Sequence, residues 1–296
     1  MAQDVLVMGG TSFFGKRLVA NLLVAGCNVT VATRGRVQDP FGDKIARVIF
    51  DRRSLESMQK AFGGKRFDIV FDQIGFGPDD IEDAITVFSG NIEHYVFTSS
   101  GSVYDDGSKI TEEDFDPMSI KPGKGRYPEI SYKDGKRWAE AYLFQNAPFT
   151  AAAARLPMVI GPDDVVGRTQ FHVERVMKGL PIVVPRPRGK MAYLYADDTG
   201  KFISWLGLTR KTGPYNGASR YALDAAELIE RIGEALGEEP IILEEGPEDA
   251  LSPYATTEDF IMDPSKAEAD GFVFTPFEEW FPDVVRETAE LLIGNR

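Results

Sequence analysis

Four consecutive apolar residues, Val5-Leu6-Val7-Met8, open the chain. A turn of glycines and small polar residues follows, and then residues 16–25, where Leu18, Val19, Leu22 and Leu23 share one helical face. An unbroken apolar run of strand length predicts a strand covered on both faces, as in a parallel sheet. The same rhythm recurs downstream. Residues 28–32, 46–50, 67–72 and 95–99 read as further strands, with helices predicted over 54–62 and from Asp79-Asp80 after Pro78 to about Phe88. Gly26 and Gly90 mark where helices stop. Strands alternating with helices of this length imply right-handed βαβ units and a doubly wound parallel α/β sheet.

Beyond residue 104 the pattern loosens. Residues 105–127 are polar and rich in Gly and Pro, which predicts an exposed loop over the strand ends. A helix over 131–145 and an alanine-rich strand over 150–156 resume the alternation. A second half is expected from Gly161-Pro162, with helices over 169–178, 198–206 and 223–236, the last ended by Gly237. It also carries extended segments at 181–184 and 191–196, an acidic loop over 238–252 with a short strand at 241–243, and a final helix over 282–293. The expected organisation is a dinucleotide domain of residues 1–160, joined by about 191–212, and a smaller C-terminal substrate-binding lobe of 161–190 and 213–296. A chain of 296 residues suffices for both.

Charge and cysteine usage narrow the setting. The net charge of −13 argues against a broad nucleic-acid or anionic-membrane surface, although a local basic patch is compatible with it. The single cysteine, Cys27, rules out an intrachain disulfide and reads as a small buried hydrophobe. No apolar run approaches the ~18 residues of a spanning helix, and the start of the chain lacks a signal-peptide layout, so a cytoplasmic protein is expected. His94 and His172 have no companions at ligand spacing, so no metal site is expected.

The chemistry begins at the first turn. Gly9 and Gly15 keep the spacing of the outer glycines in a G-x-x-G-x-x-G turn; Ser12 takes the middle place, and Gly10 supplies some of the lost backbone freedom. Strand, turn and helix N-terminus form a phosphate cradle involving Thr11, Ser12, Phe13 and Phe14. The alternative is a strand-to-helix turn that binds nothing. At the end of the second strand, Thr33-Arg34 with Arg36 nearby stands where an acidic residue would hold a ribose 2′-hydroxyl. An arginine fork suits a 2′-phosphate, which favours NADP and leaves NAD open; Arg34 as a solvated charge is the bland alternative. Asp51 could accept from the adenine amino group or cap the following helix.

Tyr132 and Lys136, four apart, share a helical face. A lysine ammonium beside a phenol favours phenolate and makes the tyrosine usable as acid or base. Alone the pair is a weak signal, since it also marks solvated helix faces. Thr98-Ser99-Ser100-Gly101-Ser102-Val103-Tyr104 adds hydroxyls at the carboxyl edge of the sheet, where open α/β folds bind ligands.

These features occur in a familiar order. The glycine turn, Ser99-Ser100-x-x-Val103-Tyr104, Tyr132-x-x-x-Lys136 and Arg155-Leu156-Pro157-x-x-x-Gly161-Pro162 are followed by Tyr195-Ala196-Asp197-Asp198, Tyr215-Asn216-Gly217 and Asp263-Pro264-Ser265-Lys266-Ala267. In this the chain resembles the extended short-chain dehydrogenase/reductases, the NAD(P)-dependent epimerase/dehydratase group, over nearly its whole length. The resemblance implies a Rossmann-type fold, Tyr132 as acid/base, Lys136 as the residue that tunes it and holds the nicotinamide ribose, and Ser100 as the hydroxyl polarising the reacting carbonyl. It also implies a cofactor bound by Gly9, Thr11, Ser12, Phe13, Phe14, Gly15, Thr33, Arg34, Asp51, Arg52, Gln73, Thr98, Ser99, Tyr132, Lys136 and Pro157. The implied activity is that of an NAD(P)-dependent oxidoreductase or epimerase on a hydroxyl or ketone carbon of a small polar substrate, with nucleotide-linked sugars as one candidate class. The implied assembly is a homodimer, with Trp138 and Tyr142 on the seam of the Tyr132 helix.

Departures from the group qualify this. Gly101-Ser102 stands where the 4,6-dehydratases carry an Asp-Glu pair, which reads against that dehydration. Met191 takes the place of an arginine that grips the diphosphate of sugar nucleotides, with Arg186, Arg188 and Lys190 close by. Ser12 and the Asp72-Gln73-Ile74-Gly75 strand end also resemble atypical members, among them chloroplast stem-loop RNA-binding proteins and NADP-sensing regulators. A dinucleotide-binding regulatory or RNA-binding module without turnover is therefore the rival reading. The net charge speaks against RNA, and Ser100, Tyr132 and Lys136 speak against a pure sensor.

Overall fold

A computed structural model describes residues 2–294. The chain divides into two compact units: residues 1–105, 112–156 and 199–217, and residues 106–111, 157–198 and 218–296. Residues 106–111, 157–160 and 191–198, grouped from sequence with the dinucleotide domain, fall in the second unit, and 213–217 in the first.

The first unit is built on seven strands: β1 (Asp4–Met8), β2 (Asn28–Thr33), β3 (Ala46–Ile49), β4 (Phe67–Asp72), β5 (Ile92–Thr98), β6 (Thr150–Arg155) and β7 (Gly213–Asn216). All pair in parallel, in the order 3-2-1-4-5-6-7. The order reverses between β1 and β4, so a crevice opens outside their carboxyl ends, the usual ligand position of a doubly wound sheet. The intervening helices are α1 (Phe13–Val24), α2 (Leu55–Phe62), α3 (Pro78–Phe88) and α4 (Tyr132–Asn146). Alternate residues of each strand supply the two faces. Leu6, Met8, Val70, Tyr95 and Phe97 pack with Met58, Phe62, Ile81, Ala84, Ala139 and Leu143 of α2, α3 and α4. On the other face, Gly200 brings the Ala196–Leu208 helix against Arg17 and Leu18 of α1, and Gly207 brings it against Phe71 and Val96. The apolar run of β1 is fully buried because both faces are covered: Val5 to Met8 have no exposure.

The second unit has its own sheet, with Ala222–Leu223, Met191–Tyr195, Phe260–Met262 and Gly107–Ile110 in that order and Met158–Ile160 also paired to Met191–Tyr195. Its core draws on Val173, Val176, Leu228, Ile229, Ile232, Trp280, Phe281 and Val285. His172 belongs to that core: its ring stacks on Tyr254 at 4.8 Å and bonds Ser252 Oγ and the Arg168 carbonyl at 2.7 Å each. Core packing is its observed role.

Some expectations change. The polar stretch after residue 104 contains the strand Gly107–Ile110, which periodicity could not reveal in so short a segment. It pairs with Phe260–Met262, a strand shorter still and also missed. The last helix is Phe277–Gly294 and runs through Pro282. Phe277, Trp280, Phe281, Val284 and Val285 are buried at helical spacing across the proline, and that burial outweighs one lost backbone bond. The first helix opens at Phe13 rather than Lys16.

Candidate functional site

The glycine turn lies at the crevice between β1 and β4. Gly9 N–H donates to the Ala32 carbonyl at 2.9 Å, and Gln73 N–H to the Met8 carbonyl at 3.0 Å, which ties the turn to β2 and β4. Gly9 and Gly10 have φ of 100° and 94°. A Cβ on Gly10 would lie 2.9 Å from Val7 Cγ1, and one on Gly15 2.9 Å from Gly10 Cα. Glycine is therefore demanded twice over, by handedness and by close approach. Ser12 is the N-cap of α1, yet its side chain makes no capping bond. Phe13 follows at φ 47°, an uncommon conformation for a bulky residue. The N-terminus of α1 thus has no side-chain cap, the Gly15 N–H donating to the Ser12 carbonyl at 3.0 Å, and its remaining N–H groups suit an anion.

A cavity of about 370 Å³ runs from this turn along the ends of β2, β3 and β4. Gly9, Thr11 and Ser12 line one end; Thr33, Arg34, Arg36 and Val37 one wall; Phe50, Asp51, Arg52, Arg53 and Ile74 another; Phe76, Asp80, Arg126 and Tyr127 close it. Arg34 and Arg36 are exposed and have no partner among the described residues. Asp51 does not cap α2. Its carboxylate accepts from Arg53 N–H at 3.0 Å, and Ser54 caps the helix by accepting from Ser57 N–H at 3.1 Å. Arg52 is spent inside the protein: Nη2 donates to Asp72 Oδ2 and to the Asp80 carbonyl, both at 2.7 Å. Burial alone would raise the Asp72 carboxyl, but Arg52 and the Tyr95 hydroxyl, 2.5 Å away, hold it below the usual carboxylate range. Gln73 packs against the turn, with its Cβ beside Gly9 and its amide beside Gly15, and its Nε2 is buried without a partner.

The second group of predicted residues sits at the end of β5 and the start of α4. Lys136 is 2 % exposed, and its ammonium donates to the carbonyls of Gly75 and Thr98 at 2.8 Å each. It lies 4.5 Å from the ring centroid of Phe76, 4.7 Å from that of Phe97 and 5.8 Å from that of Tyr132. Burial pushes its pKa down to about 8, against the pull of Asp72, Asp80 and Glu140. Tyr132 is exposed, one turn away on the same stripe. Ser100 Oγ accepts from Ser102 N–H at 3.1 Å, which caps a short 3-10 turn over Gly101–Val103. Ser99 is 3 % exposed and donates its hydroxyl to Glu140. Thr98 Oγ1 is buried without a partner. Pro157 opens the second unit directly after Leu156.

Sequence reasoning missed Glu140. It continues the Tyr132–Lys136 stripe by another four residues, the one signal that could have found it. Its carboxylate pairs with Arg155 at 2.6 Å, both side chains being fully buried, and Arg155 in turn donates to the Tyr104 hydroxyl at 2.7 Å. The Tyr104 hydroxyl itself donates to Asn216 Oδ1 at 2.7 Å. Helix α4 thus grips consecutive residues of the β5 end, Thr98 through Lys136 and Ser99 through Glu140, immediately before Ser100. Arg126 and Tyr127 were also missed, because they lie in what reads as an exposed loop.

In the second unit, the basic residues beside Met191 are engaged locally. Arg186 pairs with Glu244, Lys190 with Glu227 at 2.9 Å, and Arg188 keeps a buried Nε without a partner. Among the described residues no helix is long and apolar enough to cross a membrane.

Comparison with known proteins gives three results. The model of the NAD dependent epimerase/dehydratase family matches residues 5–218. The chain is 27% identical over 199 residues to the chloroplast stem-loop binding protein of 41 kDa b of Arabidopsis thaliana, covering 62% of this chain and 49% of that one. It thus spans about half the length of that curated relative. Among solved structures it resembles UDP-glucose 4-epimerase of Thermus thermophilus in complex with NAD, with TM-score 0.70, 22% identity and coverage of 98% and 99% of the two chains. It also resembles the epimerase Mth375 of Methanothermobacter thermautotrophicus, with TM-score 0.76, 18% identity and coverage of 99% and 94%. At these identities the structural likeness speaks to the fold.

Proposed function

The chain belongs to the NAD dependent epimerase/dehydratase family, and from that premise we propose that it is an NADP-preferring oxidoreductase or epimerase. It acts at a hydroxyl or ketone carbon of a small polar substrate; nucleotide sugars are one candidate class, against which Met191 and the pairing of Arg186 and Lys190 with Glu244 and Glu227 weigh. The observation that carries this reading is the cavity along the glycine turn, with Arg34 and Arg36 unpaired at its wall. The turn and the N-terminus of α1 would seat a pyrophosphate, and the two arginines a ribose 2′-phosphate. A bound nicotinamide supplies hydride chemistry. The chain's own part is to hold and move a proton. Tyr132 presents its phenol to the substrate oxygen, and Lys136 sets the field around it from a desolvated site. Ser100, held by the Ser102 amide, keeps its hydroxyl proton for an oxygen acceptor.

The alternative without turnover draws support from the stem-loop binding relative. A net charge of −13 weighs against it, because nucleic-acid affinity comes chiefly from neutralised phosphates. Pairing of two copies through α4, and a cytoplasmic setting, belong to the proposal. In that proposed pairing Trp138 would contribute less than Tyr142, since Gly123 of the same chain lies against the Trp138 ring. A thermal-shift screen of sugar nucleotides and simple carbonyl compounds with NADPH present identifies the substrate class, since native-state ligands raise the melting temperature. On that substrate Tyr132→Phe abolishes turnover if the proposal holds; turnover at the wild-type rate refutes the acid/base role.

A further inference from the structure

We propose that residues 124–128 form a strap latched across the outer end of the cavity, and that Tyr127 is the positioning residue through which an occupied cavity acts on Tyr132. The inference rests on the dinucleotide reading above and adds a device that regulates that site.

The strap crosses the N-terminus of α3 at close range. Gly125 N–H donates to Asp79 Oδ1 at 2.9 Å, and a Cβ on Gly77 would lie 2.7 Å from the Gly125 carbonyl oxygen. Gly125 itself has φ 121°. Arg126 then divides its guanidinium fork between Asp80 and Asp83, with the Asp83 contact at 2.5 Å. The three side chains are 18%, 6% and 12% exposed, so this latch is nearly out of water. The flanking pairs Lys124–Glu82 at 3.7 Å and Arg53–Glu129 at 3.3 Å are largely solvated and add little. Lifting the strap leaves Asp83 without its counter-ion and Asp80 with the Phe76 and Gly77 N–H groups, at 2.8 and 3.1 Å, and the nearby charge of Arg52, a cost that makes opening the slow step of ligand exchange.

Tyr127 follows the latch residue directly and lines the cavity. Its ring meets Tyr132 edge-on at 5.9 Å and lies 6.1 Å from Phe76. Phe76 in turn touches the Tyr132 ring at 6.2 Å and the Lys136 ammonium at 4.5 Å. Tyr127 therefore has one side toward the cavity and the other against the proton-handling pair. A ligand that immobilises Tyr127 narrows the orientations open to the exposed Tyr132 phenol.

Asp83 holds the latch without lining the cavity, so Asp83→Asn tests the strap while leaving ligand contacts in place. Stopped-flow displacement of NADPH is expected to show dissociation about tenfold faster in Asp83→Asn, as for loss of one charge-assisted contact. Hydrogen exchange of residues 123–129 rises in parallel. In the wild type, NADPH slows exchange at residues 131–136; Tyr127→Ala removes that protection and Tyr127→Phe, which keeps the ring, restores it. A wild-type dissociation rate in an Asp83→Asn protein whose strap exchanges faster overturns the gating. Unchanged strap exchange in Asp83→Asn overturns the latch. Protection of 131–136 that survives Tyr127→Ala overturns the coupling. Failure of the wild type to bind NADPH or NADH overturns the dinucleotide reading and the strap with it, and is seen before any substitution is made.

Discussion

The Lys136 ammonium donates to the Thr98 carbonyl at 2.8 Å, with no carboxylate bonded to it among the described residues and 2 % of the residue exposed. Burial outweighs the more distant charges of Asp72, Asp80 and Glu140, so the ammonium is under pressure to lose its proton and its pKa falls to about 8. Below that pH the folded and unfolded chains both carry the proton and the burial penalty is fully present. Between pH 8 and the ordinary lysine value the unfolded chain holds more protons than the folded one, so stability rises with pH by about 3 kcal/mol in total. Urea denaturation of wild type and Lys136→Met across that window reads this contribution. The stability difference between them moves in favour of wild type as pH rises; a difference independent of pH contradicts the assignment.

Glu140 and Arg155 form a pair whose side chains are both 0% exposed. Removing one partner strands the other charge, so Glu140→Ala is expected to destabilise the protein by about 3–5 kcal/mol. The double substitution Glu140→Leu/Arg155→Leu is expected to destabilise less than Glu140→Ala alone. Equilibrium unfolding of both variants decides this.

Gly10 and Gly26 both have positive φ, at 94° and 78°, but only Gly10 meets a neighbour when a Cβ is added. Alanine at Gly26 therefore carries backbone strain alone, about 1 kcal/mol. Alanine at Gly10 adds a clash with Val7 inside a close-packed sheet and costs about 2–4 kcal/mol in all. Equal melting temperatures for Gly10→Ala and Gly26→Ala would show that the turn is looser than its geometry.

Much of the first unit was legible because long parallel strands buried on both faces leave unbroken apolar runs, as Val5 to Met8 do. The second unit was less so. Its strands are as short as Ala222–Leu223, and Gly107–Ile110 alternates too briefly to betray a period. At the site, Tyr132, Lys136 and the glycines were visible through spacing. Arg52 was visible as a residue but not in its bonding, because its partners Asp72 and Asp80 are 20 and 28 residues away. Tyr127 carried no local signal, since its importance comes from a strap that only the fold brings to the cavity.

Arg34, exposed and unpaired at the cavity wall, is expected to matter to one dinucleotide and not to the other. Arg34→Ala weakens NADPH by about tenfold or more, the worth of a charge-assisted contact, and NADH by less than about threefold. Calorimetric titration of the variant with each dinucleotide measures both. Equal losses for the two would assign Arg34 to the shared part of the ligand.

On the proposal above, the crevice between β1 and β4 holds a nicotinamide dinucleotide. Titration of the wild-type protein with NADPH and NADH, followed by nicotinamide fluorescence, tests it most directly. Saturable binding of one molecule per chain is expected, with NADPH the tighter by about tenfold or more. Absence of saturable binding by either dinucleotide at millimolar concentration would contradict it.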